Sequence, residues 1–149
     1  MHLTLNFSGE PKAVQSMRVC QIGSFLRKYQ PKAVTDWKNW IRLQAVDQLP
    51  EGWQVIADTP LSVDCEFRFS PPKSMRASLR RDLMAGAAVA WKTTRPDLGD
   101  NLRKGVLDAL TGIIWRDDAL IARDSGRKIY AREPGIKIVI QTIAESEAV

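Results

Sequence analysis

The feature that most limits the fold is a run of alternating side chains at Ser62–Phe69, with the sequence SVDCEFRF. Apolar residues occupy every second position from Val63 to Phe69, so an extended strand would present all of them on one face. An apolar face of this kind must be covered by a second layer of secondary structure. The stretch therefore predicts a half-buried β-strand with helices packed against it.

Three further stretches predict strands of the same sheet. Residues His2–Phe7 alternate in the same way, with Leu3, Leu5 and Phe7 on one side. Near the other end of the chain, residues 119–131 and 136–143 have strand-like composition and are joined by the REPG turn at Arg132–Gly135. The sheet is thus expected to contain at least four strands.

Three helices are predicted between these strands, and the first two are separated by the strand at Ser62–Phe69. The first is expected from Asp36 to Gln48, with Thr35 as its capping residue. Its apolar face is expected to consist of Trp37, Trp40, Ile41 and Ala45. The second, at Met75–Gly86, is short and basic.

A third helix is expected to begin at Asp100 and Asn101 and to end at Gly112. Its buried face would consist of Leu102, Val106, Leu107 and Leu110, which follow a helical spacing. The order of elements predicts a single α+β domain over residues 1–149, with a mixed sheet and helices on one face. Residues 10–31 are expected to form a long basic loop, and residues 144–149 a disordered tail.

The composition excludes several classes of protein. Lysine and arginine number 22 against 17 aspartates and glutamates, a net charge of +5 that suits a polyanionic partner such as nucleic acid. His2 is the only histidine, which excludes a histidine-based zinc site or catalytic dyad. Cys20 and Cys65 lack metal-like spacing and are expected to be reduced thiols. With neither a signal peptide nor a membrane-spanning run, we expect a cytoplasmic protein.

Five aspartates are concentrated between Arg95 and Asp118, in an otherwise basic chain. If the chain turns back at Gly112, the next strand would run beside the helix and bring Asp118 near Asp100. Clustered carboxylates repel one another unless a cation separates them, and Mg²⁺ prefers oxygen ligands. Lys104 could then neutralise phosphate charge. The alternative is that these aspartates cap a helix, form a solvated turn and pair with lysine.

Basic residues form two groups in the sequence, one after and one before the predicted strand at Ser62–Phe69. They are Lys73, Arg76, Arg80 and Arg81 in one group, and Lys12, Arg18, Arg27 and Lys28 in the other. Such residues hold DNA phosphates without reading the sequence, although a solvated surface would have the same composition. Phe25 and Tyr29 lie in the second group and could stack on unpaired bases or simply anchor the loop.

The stretch RPDLGDNLRKGVLDALTGIIWRDD resembles the signature of the RusA family of Holliday-junction resolvases, which are common in prophages. The matching residues are Pro96, Asp97, Asp100, Asn101, Leu102, Lys104, Asp108, Ala109, Leu110, Asp117 and Asp118. The resemblance extends to FRFSPPKSMRASLRRDLMAG and RKIYAREPGIKIVI, and so covers the chain from about Val63 to Ile140.

The resemblance implies a homodimer of α+β subunits that binds four-way DNA junctions and, with Mg²⁺, cuts two symmetry-related strands. By position, the metal-binding carboxylates would be Asp97, Asp100 and Asp118, with Asp117 as the second choice, and Lys104 would be the essential lysine. Asp108 is expected to be a helix-surface charge near Lys104. Paired cuts require two active sites related by a two-fold axis, as in a dimer.

One departure from the family pattern bears on activity. The family separates its first two aspartates by one residue, whereas Leu98 and Gly99 both stand between Asp97 and Asp100 here. Gly99 could absorb the insertion as a bulge or tight turn, because glycine adopts backbone angles forbidden to other residues. Two alternatives to an active resolvase stay open: a branched-DNA-binding module without catalysis, and a nuclease that cuts other branched DNA.

Overall fold

The computed structural model describes residues 1–14 and 18–144, except for the side chain of Arg18. The expected tail at residues 144–149 therefore lies outside the described residues from position 145 onward. Seven strands are found in the described part: β1 (His2–Ser8), β2 (Arg18–Ile22), β3 (Phe25–Tyr29), β4 (Leu61–Phe69), β5 (Ala90–Trp91), β6 (Ile121–Tyr130) and β7 (Gly135–Thr142).

The same ranges contain three α-helices, which are α1 (Lys32–Gln48), α2 (Ala77–Met84) and α3 (Lys104–Leu110). A π-helical turn at Leu98–Arg103 leads directly into α3. A short 3₁₀ turn at Asp118–Leu120 precedes β6. None of the helices in the described ranges is long and apolar enough to cross a membrane.

Five strands form one mixed sheet in the order β1-β7-β4-β6-β5. Strands β4 and β6 are parallel, and the other neighbours are antiparallel. A parallel pair needs a long crossover, and here the segment between β4 and β6 carries α2, the π-helical turn and α3. The α+β class predicted from the sequence is confirmed, with a mixed sheet and three α-helices in the described ranges.

The core lies on one face of the sheet because the strands alternate as their sequences predict. Strand β4 buries Leu61, Val63, Cys65, Phe67 and Phe69 on this face. The paired residues of β7 and β1 are also buried, and α1 and α3 complete the same cluster. The opposite face is polar, and its cross-strand contacts include the Arg127 and Glu66 ion pair.

Helix α1 begins four positions earlier than expected. Pro31 occupies the N-cap position in an extended conformation, and its carbonyl oxygen accepts from the amides of Val34 and Thr35. Proline can precede a helix because its fixed backbone angle and missing N–H cost nothing there. Thr35 is therefore inside the helix and does not cap it. Trp40 is 49% exposed, so its expected place on the buried face is wrong.

The expected loop at residues 10–31 is largely a β-hairpin. Strands β2 and β3 pair from Arg18 with Tyr29 to Ile22 with Phe25, leaving a two-residue turn. Gly23 has a φ of +62°, the left-handed angle that two-residue hairpin turns require and glycine readily adopts. The Gly-Ser pair between two apolar and basic runs was the sequence signal for this hairpin, which we predicted as a loop.

The two cysteines provide a test of this packing. Cys65 is buried, and burial, followed by the nearby Asp124 and Asp64 carboxylates, raises the pKa of its thiol to about 12. Cys20 is partly exposed. Because the thiolate is the reactive form, iodoacetamide at mildly alkaline pH should label Cys20 in the folded protein and Cys65 only in denaturant.

A Cys20→Ser variant serves as the control for this experiment. Its folded form should remain unlabelled, as measured by intact mass. Rapid labelling of Cys65 in the folded Cys20→Ser variant would show that β4 is not buried as described.

Candidate active site

The acidic stretch forms a helix start with an unusually wide turn. The amide of Leu102 donates to the carbonyl oxygen of Asp97 at 3.2 Å, and the amide of Lys104 donates to Gly99. Each bond reaches five residues back, whereas an α-helical bond reaches four. A π-helical turn holds one residue more than an α-helical turn. The insertion between Asp97 and Asp100 is therefore accommodated inside the helix.

This mechanism differs from the one we expected. Gly99 does not adopt a positive φ, and a Cβ atom built on it would meet nothing within 4 Å. The wider hydrogen-bond spacing absorbs the extra residue, and no glycine-specific backbone angle is needed. The helix also begins at Leu98, so Asp97 is its N-cap residue and Asp100 lies in its first turn.

The segment that follows β1 packs directly against this helix. The amide of Val14 donates to the carbonyl oxygen of Asn101 at 3.1 Å. A Cβ atom built on Gly105 would lie 2.1 Å from Cγ2 of Val14 and 3.3 Å from the ring of Trp37. Gly105 is thus required for the close approach of the Val14 segment, which contacts the helix where its π-helical and α-helical parts meet.

Lys128 holds the chain immediately before the helix. Its Nζ donates to the carbonyl oxygens of Thr94 at 2.8 Å and Pro96 at 2.7 Å. Because Pro96 directly precedes Asp97, this contact fixes the entry of the acidic stretch on strand β6. The wide turn is therefore held from two sides, by Lys128 before it and by Val14 along it.

The side chains of Asp97, Asp100 and Lys104 are exposed at the helix start. Oδ2 of Asp97 accepts from the side-chain amide of Asn101 at the long distance of 3.5 Å. Within residues 1–14 and 18–144, none of the three charged groups takes part in an ion pair. Asp108, expected near Lys104, pairs instead with Lys38 at 3.5 Å.

Asp124 is a carboxylate near this helix that the sequence did not single out. Its Oδ2 lies 3.0 Å from the guanidinium of Arg103, whose side chain passes over Gly126. Burial raises the pKa of Asp124, while Arg103 opposes this and Asp64 adds to it. Asp124, Gly126 and Lys128 pair with the buried apolar residues Val63, Cys65 and Phe67 of β4. In the sequence, the only signal was that these alternate positions of β6 are not apolar.

The structure does not place Asp118 beside Asp100 within one chain. Strand β6 does run back along the helix, as expected, because Lys128 contacts Pro96 and Asp124 contacts Arg103. Asp118 precedes β6, however, and the seven steps from Ile121, where β6 begins, to Lys128 span about 23 Å in extended conformation. In the part of the chain that the structure describes, no three His, Cys, Asp or Glu side chains are grouped to hold a metal ion.

Comparison with known proteins places the chain in a family. A family model described as "Endodeoxyribonuclease RusA" matches residues 8–141, which include six of the seven strands completely or nearly so and all three α-helices. The chain belongs to the RusA endodeoxyribonuclease family. It is also 29% identical over 136 residues to "Uncharacterized protein YqaN" of Bacillus subtilis (strain 168), covering 91% of this chain and 93% of that protein.

Membership of the RusA family confirms the resemblance drawn from the acidic motif, and it gives the chemical class as DNA phosphodiester cleavage. It does not test the roles of single residues. The assignments of Asp97, Asp100, Lys104 and Asp118 therefore remain predictions within a RusA fold.

The predicted DNA-binding residues of this RusA chain differ in their surroundings. Lys73 and Arg76 are exposed before α2, and Arg81 is exposed in its last turn. The guanidinium of Arg80, in contrast, donates to the carbonyl oxygen of Pro72 at 3.0 Å. Arg80 therefore also supports the turn after β4. In the other group, Arg27 and Lys28 are exposed on β3, and the side chain of Arg18 lies outside the described residues.

A cleft of about 480 Å³ lies between the segment that follows β1 and the start of the wide turn. It is lined by Pro11, Ala13, Arg95, Pro96 and Asn101. The cleft therefore borders the N-terminal segment on one side and the wide turn on the other. It is an open groove next to the residues that carry the family motif.

The contact between Val14 and Gly105 gives a mutational test. Gly105→Ala should lower the free energy of unfolding by about 1–3 kcal/mol, because the added methyl overlaps Val14 in a packed site. Gly99→Ala is the matched control, since the same methyl there meets open space and favours helix. Urea unfolding monitored by circular dichroism measures both.

Truncation of the neighbouring side chain should relieve the overlap. We expect the double variant Val14→Ala/Gly105→Ala to recover part of the stability lost in Gly105→Ala alone. Equal responses of the two glycines to alanine would contradict the close packing described here.

Proposed function

We propose that the chain is a Mg²⁺-dependent, structure-selective endodeoxyribonuclease that resolves four-way DNA junctions by paired, symmetric strand cleavage in recombination and repair. The observation that carries this proposal is the wide turn at Leu98–Arg103, because it keeps both motif aspartates at one helix start despite the extra residue. Membership of the RusA family supports the reaction class. Since the substrate is DNA, we place the activity in the cytoplasm.

Asp97 and Asp100 fit a magnesium ion by the chemistry of their donors. Both offer exposed carboxylate oxygens, and within the described residues neither is neutralised by lysine or arginine. Mg²⁺ commonly takes one or two carboxylates together with water and substrate phosphate. When bound, such an ion supplies an activated water and stabilises charge on the leaving oxygen.

Asp118 is the third proposed ligand, and Asp117 is the second choice. Oδ1 of Asp117 already accepts from the amide of Ala119 at 2.9 Å, which commits this side chain to capping the 3₁₀ turn. Asp118 is exposed in the same turn. This difference supports the preference for Asp118.

Basic side chains of the chain would bind and orient the DNA. Lys104 opens α3 directly after the wide turn, exposed and without an ion pair among the described residues, so its ammonium is available to a phosphate. The exposed basic residues around α2 and on β3 would hold the arms of the junction through phosphate contacts. Such contacts make binding strongly dependent on salt concentration.

A homodimer is part of the proposal for two reasons. A four-way junction has approximate two-fold symmetry, so paired cuts need two sites related by the same axis. In addition, Asp118 lies toward the far end of β6 from Asp97 within one chain. A carboxylate set that includes Asp118 at one phosphate would therefore draw it from a second copy.

The second candidate is a module that binds branched DNA without cutting it. The separation of Asp118 from Asp97 favours this candidate, together with the lack of a three-residue metal-ligand group in the described ranges. A nuclease that acts on flaps or forks is a third possibility, close to the leading proposal. The cleavage rates of four-way junctions, flaps and forks at equal concentration would distinguish it from a junction resolvase.

The proposal is tested by incubating a labelled four-way junction and a matched linear duplex with the protein, in Mg²⁺ or in EDTA. We expect paired nicks in the junction alone and only with the metal. Asp97→Asn, Asp100→Asn and Lys104→Met should each reduce the cleavage rate by about a hundredfold or more, because each removes a charge that acts on the reacting phosphate.

The matched control is Asp108→Asn, a carboxylate of the same helix that pairs with Lys38. It should cleave at nearly the wild-type rate. The wild type could instead bind the junction tightly and in a salt-sensitive way but fail to cleave it with any divalent metal. That result would support the non-catalytic binding module.

A further inference from the structure

The hairpin of β2 and β3 stands apart from the rest of the fold. Its two strands pair only with each other and not with the five-stranded sheet. All five residues of β3 are exposed, including Phe25 at 78% and Leu26 at 76%. A two-stranded hairpin is only marginally stable alone in water. Exposed apolar residues on such a hairpin indicate a surface that another molecule covers.

The charge of the hairpin indicates which kind of molecule this is. Residues 18–29 contain three basic side chains and no acidic ones. Arg27 and Lys28 follow directly after the exposed apolar residues at the tip. A second protein surface would have to supply the opposite charge together with an apolar face. DNA supplies both, through its phosphates and the flat faces of its bases.

The register separates the side chains into two faces. Directly paired residues point to the same side, and successive residues of one strand alternate. Phe25 and Arg27 therefore share one face, together with Tyr29. Leu26 and Lys28 lie on the other face. Alternating aromatic and basic side chains on one surface are the arrangement that stacks unpaired bases while holding their backbone.

The chain connection limits how far the hairpin can lie from the proposed active site. Val14, which is bonded to Asn101 of the wide turn, is four residues before Arg18, a separation of at most about 14 Å. Each strand has five residues and is about 17 Å long. DNA that lies in the cleft beside Pro96 and Asn101 is therefore within reach of the hairpin.

We propose that the face of the hairpin carrying Phe25, Arg27 and Tyr29 binds the unpaired or unstacked bases at the branch point of DNA, with Phe25 stacking on a base. The hairpin is thus the element that distinguishes a branch from a linear duplex. This inference rests on the proposed function, because it assumes that branched DNA is the substrate.

The experiment uses a four-way junction with 2-aminopurine at the branch point and a linear duplex of the same sequence. Phe25→Ala should weaken junction binding by about tenfold, because one stacked base is lost, and should leave duplex binding nearly unchanged. It should also abolish the change in 2-aminopurine fluorescence. Phe25→Trp, which retains an aromatic face, should restore both.

Leu26→Ala is the matched control, since Leu26 is similarly exposed but points to the opposite face. It should bind the junction like the wild type. If the two alanine variants lose junction affinity equally, the inference about the hairpin is overturned. The same holds if Phe25→Ala loses no affinity while the wild type binds and cleaves junctions. In both cases the proposed function still stands. A Phe25→Ala variant that dissociates a dimer in sedimentation would assign the face to a second copy and also overturn it. A wild type that neither binds nor cuts branched DNA would overturn the proposed function itself.

Discussion

The hydrogen bonds that run five residues back, from Leu102 to Asp97 and from Lys104 to Gly99, set the positions of the acidic side chains. π-helical turns are rare because their geometry is less favourable than that of an α-helix, and they occur mostly as single turns at functional sites. Here the wide turn holds one residue more than the family motif, which allows Asp97 and Asp100 to remain at the start of one helix.

The turn depends on contacts from distant parts of the chain. From the sheet, the Nζ of Lys128 donates to the carbonyl oxygen of Pro96. From the N-terminal segment, the amide of Val14 donates to the carbonyl oxygen of Asn101. Since Val14 also fills the space left by Gly105, the packing of the N-terminal segment and the geometry of the acidic turn are linked. The basic hairpin follows this segment in the chain, so the residues proposed to contact DNA come shortly after the segment that packs on the candidate site.

Local patterns in the sequence predicted most of the fold but less of the site. The alternation of β4 predicted its buried face residue by residue, because strand geometry fixes it. The π-helical spacing could not be predicted, since it depends on non-local contacts such as Val14 with Asn101. The sequence predicted that β6 runs back along the helix, but not the position of β6 along that helix, which separates Asp118 from Asp97. The Gly23 turn of the hairpin was a local signal that we missed.

Deletion of Gly99 gives the most direct test of the wide turn, because it restores the family spacing between Asp97 and the next aspartate. Junction cleavage by the wild type and by the deletion variant would be compared at saturating protein concentration. If the π-helical turn positions the carboxylates as described, the wild type already cleaves the junction. The deletion should then raise the cleavage rate by far less than the roughly hundredfold by which a misplaced catalytic group lowers it. A wild type that binds but does not cut, beside a deletion variant that cuts, would contradict this account.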